Sequence, residues 1–205
     1  MGRVVAVFDF DGTLIKGDSF IMFARFAVGW RHFVKALIKS APWLVLWKAG
    51  LLSNAKAKQR LFSALYKGMT RPAFERLGES FSAQLESVEI GSTVKALGEH
   101  ISNGDTVYIV TASPAEWVRP WAVHHGVSAG NILATPVGFS AEKGSITGRF
   151  AGNNCYGPEK VRRLLAKEPD RRNYTLIAYG DSRGDREMAQ FADKFIKVDS
   201  DSEEL

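Results

Sequence analysis

Asp9 and Asp11 stand two residues apart at the end of the apolar run VVAVF, and Gly12-Thr13 follow at once. In an extended chain, residues two apart share a face, so both carboxylates can point at one spot. Three further positions suit the same chemistry. Thr111 and Ala112 end the run TVYIV, Lys160 opens a helical stretch in GPEKVRRLL, and Asp181 and Asp185 sit four apart in GDSRGD. Carboxylates gathered on one point repel one another unless a cation lies among them. Hard oxygen ligands suit Mg²⁺, which binds through few carboxylates together with substrate phosphate. A carboxylate is also a nucleophile towards phosphorus, through an aspartyl-phosphate. The residues therefore point to phosphoryl transfer. Asp9 would attack, and Asp11 would protonate the leaving oxygen and later activate water. Thr111 and Lys160 would hold the phosphoryl group.

The elements needed to position these groups are legible as strands alternating with helices. Apolar or β-branched runs occur at 4–8, 106–110, 131–135, 175–179 and 194–198, and helical stretches occupy 94–101, 114–125, 159–167 and 186–192. Strands buried on both faces and separated by helices predict an α/β fold with a doubly wound, mostly parallel sheet. Ligands of such sheets bind at the carboxyl ends of the strands, where the acids lie. Residues 137–150 read as a hairpin turning at Gly144 and Gly148. Ser113-Pro114-Ala115-Glu116 reads as a capping box with proline at the first helical position.

One stretch departs from this pattern. Between Ser19 and Phe74 there are ten Lys or Arg and no Asp or Glu, together with ten of the 23 aromatic residues. The rest of the chain holds 17 basic against 22 acidic residues, so the overall charge of +5 arises entirely in this stretch. The break predicts an insertion, with a core of residues 1–14 and 88–205 and a helical cap of 15–87. Within it Phe33, Val34, Leu37, Ile38 and Ala41 fall on one side of a helix, and Arg31, Lys35 and Lys39 on the other. Pro42 is expected to interrupt that helix. Two readings stay open: a cap packing its apolar stripe on its own helices, or an interfacial helix meeting an anionic membrane surface. No charge-free run approaches the roughly 20 residues needed to span a bilayer. The single cysteine, Cys155, excludes an internal disulfide framework and fits a reducing compartment. With no signal peptide evident at the N-terminus, a cytoplasmic location is the expectation, peripheral to the membrane on the second reading of the cap. The four histidines have no metal-ligand spacing, and the basic stretch carries no nucleic-acid recognition motif.

DFDGTL, IVTAS, the lysine of GPEK, and GDSRGD resemble, in that order, the four motifs of the haloacid dehalogenase (HAD) superfamily. The resemblance implies that Asp9 is nucleophile and metal ligand, and that Asp11 is general acid/base and ligates Mg²⁺ through its backbone carbonyl. It makes Asp181 a further ligand, with Asp185 ligating directly or through water. Thr111, Lys160 and the amides of Gly12 and Ala112 would hold the phosphate. Dehalogenases of the superfamily lack the second acid, so Asp11 favours a phosphatase. A long helical insertion after the first motif resembles the cap of phosphoserine-phosphatase-like members, and some of that subgroup act on phosphatidylglycerophosphate. By the same resemblance Asp18 and Arg60 are candidate substrate contacts from the cap. Phosphoserine phosphatases read GDxxND in the last motif, whereas this chain has Gly184 where they have Asn. Two rivals of another class are a phospho-accepting signalling module and an inactive membrane-surface protein. The first carries its acceptor Asp on a later strand and no cap, and the second would be expected to have lost at least one of these residues.

Overall fold

A computed structural model describes residues 2–199 of the chain; the acidic end beyond Asp199 lies outside them. Five strands, β1 (Val4–Phe8), β2 (Thr106–Pro114), β3 (Ile132–Thr135), β6 (Thr175–Gly180) and β7 (Lys194–Lys197), form one sheet in the order β3-β2-β1-β6-β7. All its pairings are parallel. Side-chain alternation along the strands feeds two separate apolar layers. Ala6, Phe8, Val107 and Ile109 face one, and Val5, Val7, Tyr108, Val110 and Ala178 face the other. Helices α4 (Gly91–Ser102), α5 (Ala115–His124), α6 (Pro158–Lys167) and α7 (Arg186–Phe191) make the crossovers between the strands. Chain order reverses at β1, which has β2 on one side and β6 on the other, and such a point opens a crevice at the strands' carboxyl ends.

The short strands β4 (Val137–Phe139) and β5 (Ile146–Phe150) form the expected antiparallel hairpin. Gly144 lies in its turn, but Gly148 lies inside β5 at φ 83°. A Cβ there would come 2.5 Å from Ser63 Oγ, so the glycine serves a close approach to the cap rather than a turn.

Helices α1 (Ser19–Lys48), α2 (Asn54–Tyr66) and α3 (Arg71–Ser82) fill the insertion. Its two ends meet at an antiparallel bridge between Ile15 and Glu89, secured by Lys16 N–H to the Val88 carbonyl (2.6 Å) and Ile90 N–H to the Leu14 carbonyl (2.9 Å). The helices have no core of their own. Phe23 of α1 stacks on Trp117 of α5 (4.3 Å between centroids) and meets Phe74 and Phe81 of α3 edge-on, so insertion and sheet share one apolar cluster. Gly78 of α3 packs so tightly on α5 that a Cβ would sit 2.2 Å from the Glu116 carbonyl.

Two local expectations are corrected. The break in α1 comes at Gly29 (φ 73°, ψ 161°), and the helix runs through Pro42; the left-handed φ that only glycine adopts at little cost is the stronger signal. The buried side of the segment that follows is Phe33, Ala36 and Ser40, with Val34 and Leu37 half-buried, while Ile38 faces solvent. Ser113 does not cap α5. Strand β2 runs on to Pro114, which takes the N-cap position with no side-chain bond.

Candidate active site

The carboxyl ends of β1, β2 and β6 and the start of α6 converge on a cavity of about 420 Å³. Asp9 follows β1 directly and is buried. Its Oδ1 accepts both Phe10 N–H (2.7 Å) and Lys160 Nζ (2.8 Å). Oδ2 is left without a partner among the described residues. Lys160, also buried, reaches Asp185 Oδ1 at 2.6 Å as well. Asp185 is fixed from its other oxygen by Ser182, whose N–H and Oγ each lie 3.1 Å from Oδ2. Asp181 accepts a long bond from Thr13 Oγ1 (3.5 Å). One oxygen from each of Asp9, Asp181 and Asp185 lies within 4.8 Å of the others.

Electrostatics follow from this burial. Desolvation pushes Asp9 up to about 7, with Lys160 opposing and Asp185 adding to the rise. Burial and the Asp185 charge likewise hold Asp181 above its ordinary value. For Lys160, burial opposes the charge, but the Asp9 and Asp185 carboxylates outweigh it and the pKa lies above the usual lysine value. Three carboxylates thus share one ammonium, a net deficit of positive charge in a buried place. The donor set is all hard oxygen, and the fit to a small divalent cation such as Mg²⁺ is good. Gly12 makes the approach possible: at φ 73°, a Cβ on it would sit 2.3 Å from Asp181 Oδ2.

Asp11 is turned away from this cluster. Its Oδ1 accepts Ser19 N–H (2.7 Å) and its Oδ2 accepts Ser113 Oγ (2.5 Å). Ser113 is in turn 3.1 Å from Ser19 Oγ, to which Trp117 Nε1 donates at 2.9 Å. Thr111 is fully buried and accepts Ser113 N–H on its hydroxyl oxygen (3.0 Å), which leaves its O–H free to donate. Ala112 lies where the β2–β3 register shifts.

Most of the residues singled out from the sequence line this one cavity: Asp9, Asp11, Gly12, Asp18, Thr111, Ala112, Lys160 and Asp181, with Asp185 behind Lys160. Two expectations are corrected. The Gly12 amide already donates to the Ile15 carbonyl (2.9 Å), so it is not free to hold a phosphate. Arg60 is exposed and stacks over Trp43 at 5.2 Å, off the cavity. Lys58, two residues earlier on α2, reaches in instead. Its Nζ donates to the Ala112 carbonyl (3.1 Å) and lies over the Phe20 ring. Burial lowers its pKa, though Asp11 and Asp18 counter this. A two-residue offset in a loose alignment across the insertion hid Lys58 from sequence reasoning. Asp18 caps α1 through Phe20 N–H (2.9 Å) and stands at the cavity's rim.

Sequence reasoning also missed Ser113, Ser182 and Tyr156. The first two were visible as the serines of TAS and GDS. Tyr156 could not be foreseen: its ring lies against Gly184, where a Cβ would fall 2.7 Å from Cε2. An Asn side chain at 184 would have to displace this tyrosine ring. Cys155 is buried and donates its thiol to the Leu133 carbonyl (3.2 Å).

The parallel sheet, with acids at the ends of β1 and β6 and a buried lysine between them, makes a doubly wound α/β core with a charged crevice at its carboxyl edge. The chain belongs to the haloacid dehalogenase-like hydrolase family, whose model matches residues 6–190. It is 34% identical over 197 residues to protein CicA of Caulobacter vibrioides, covering 93% of this chain and 84% of that one. It is 27% identical over 207 residues to phosphoserine phosphatase SerB1 of Mycobacterium tuberculosis, covering 96% of this chain and 65% of that one. Among solved structures, a phospho-aspartyl intermediate analogue of phosphoserine phosphatase superposes with a TM-score of 0.64 at 18% identity, covering 96% of this chain and 87% of that one. Family membership makes the protein a haloacid dehalogenase-like hydrolase.

Proposed function

We propose that the protein is a Mg²⁺-dependent phosphomonoester phosphatase working through an aspartyl-phosphate on Asp9, with residues 15–87 as a cap over a core of 1–14 and 88–205. The observation that carries this is the placement of Lys160 between Asp9 and Asp185, with Asp181 alongside. Both hydrogen bonds to Asp9 fall on Oδ1, which leaves Oδ2 as the attacking oxygen. As Oδ2 bonds to phosphorus, the bond from phosphorus to the ester oxygen breaks, and Asp11 supplies a proton to the departing alkoxide. Water then attacks phosphorus and gives a proton back to Asp11, and the Asp9–phosphorus bond breaks to release inorganic phosphate. Lys160 and the Thr111 hydroxyl hold the phosphoryl oxygens throughout. Held by Asp9, Asp181 and Asp185, with the Asp11 carbonyl, Mg²⁺ would offset negative charge on those oxygens.

The leaving group would meet Asp18, Lys58 and Tyr156, which also line the cavity. A carboxylate and an ammonium there suit a small zwitterionic metabolite, and phosphoserine is the example that the likeness to SerB1 suggests. A phospholipid phosphate such as phosphatidylglycerophosphate is the second reading, favoured by the solvent-facing apolar side chains of α1. The test is phosphate release from both substrates, with Mg²⁺ and with EDTA. Metal-dependent release that Asp9→Asn abolishes supports the reading. Release that persists in EDTA, or in Asp9→Asn, overturns it.

A further inference from the structure

The second half of α1 carries an apolar face that no other part of the described chain covers. Ile38, Val45 and, just beyond the helix, Leu51 are 69%, 65% and 76% exposed, and Leu46 is 40% exposed. Positions 38, 42, 45, 46 and 49 fall on one side of a helix, and Pro42 and Ala49 are exposed as well. At about 1.5 Å per residue this stripe runs roughly 17 Å. It is not the side that packs inward, which belongs to Phe33, Ala36 and Ser40.

The flanks are basic. Arg31, Lys35, Lys39 and Lys48 are all exposed, and none forms an ion pair with the described residues. Nothing acidic occurs between Ser19 and Phe74. A second copy of the chain seated on this face would bring like charges together. Among the described residues no helix is long and apolar enough to cross a membrane. Exposed aliphatic side chains edged by unpaired lysines match the boundary of an anionic bilayer, where apolar groups enter the acyl edge and lysines meet headgroups.

We propose that this face docks the protein on an anionic membrane surface, with Ile38, Val45, Leu46 and Leu51 entering the bilayer boundary and Lys35, Lys39 and Lys48 on the headgroups. The docking face is independent of which phosphomonoester the active site hydrolyses.

The experiment is co-sedimentation of the full chain with phosphatidylcholine vesicles, with and without phosphatidylglycerol, over a range of salt. Hydrolysis of a soluble phosphomonoester is measured alongside. Binding is expected only with the anionic lipid and should weaken as salt rises. Lys39→Gln should weaken it about fivefold, the equivalent of about 1 kcal/mol per basic residue near the surface. The double variant Val45→Ser, Leu46→Ser should abolish it, with hydrolysis of the soluble substrate unchanged. No binding by the folded wild type, or binding that these variants leave intact, overturns the proposal. So does a dimer by analytical ultracentrifugation that the double variant dissociates, which would give the face to a second copy. Loss of hydrolysis in Asp9→Asn with vesicle binding retained separates this proposal from that of the active site.

Discussion

Ser113 holds Asp11 by a hydrogen bond of 2.5 Å to Oδ2 across 102 residues of chain. Ser19 N–H takes the other oxygen at 2.7 Å. The acid is thereby pinned between the end of β2 and the start of the first cap helix. Ser113→Ala should leave the fold intact and lower kcat by about tenfold or more, as loss of a positioning contact does. Steady-state kinetics against soluble phosphomonoesters, with KM little changed, would show it. A variant with wild-type kcat would remove Ser113 as the group that aims Asp11.

Asp9→Asn should lower turnover by at least about a thousandfold while thermal unfolding stays cooperative. Wild-type protein quenched in acid during turnover should carry a phosphoryl group on Asp9 that the variant lacks, read by mass spectrometry. An equally phosphorylated variant would place the nucleophile elsewhere.

Lys160 neutralises two buried carboxylates, at 2.8 Å from Asp9 and 2.6 Å from Asp185. Removing one partner of a buried charge group costs about 3–5 kcal/mol. Urea unfolding of Lys160→Ala in EDTA should show a loss of that size. Unchanged stability would mean that solvent already screens the cluster.

Mg²⁺ should stabilise the wild type by about 2.7 kcal/mol at a hundredfold excess over its Kd. Asp181→Asn should lose most of that gain, because it removes one of the three acids whose oxygens lie within 4.8 Å. Melting curves with and without Mg²⁺ measure this apart from activity. An equal gain in the variant would take Asp181 out of the ion's site.

Glu116 on α5 has a buried Oε2 with no hydrogen-bond partner among the described residues. Burial raises its pKa to about 7 from 4.5, with Arg119 and Arg71 opposing and Glu75 adding. A carboxyl with a raised folded pKa contributes stability in full below its unfolded value and loses it as pH rises through the folded value. Stability should therefore fall between about pH 4.5 and 7 on account of this group. Glu116→Gln should flatten that part of the profile and melt higher than wild type at pH 8. Parallel profiles for the two proteins would exclude it.

The sequence alone determined the strand-and-helix alternation, the sheet edge that carries the candidate site and the acids that gather there. These follow from local rules: apolar runs make buried strands, and carboxylates at strand ends mark a parallel sheet's open crevice. The hairpin at 137–150 was legible for the same reason, and so was a basic insertion free of acids. Tertiary structure decided what depends on distance between remote segments. Ser113 looks like a helix cap in sequence, but its hydroxyl goes to Asp11 because β2 continues for one more residue. Arg60 is the cap candidate in sequence, and the packing of α2 against α1 turns it onto Trp43 and brings Lys58 into the cavity instead. Gly184 and Tyr156 are separated by a helix and a strand, and only the tertiary structure shows that a side chain at 184 would meet the tyrosine ring. Local patterning sets which groups are present and on which face. Close packing of distant elements sets which of them meet, since contacts under 3 Å are resolved only when the whole chain is in place.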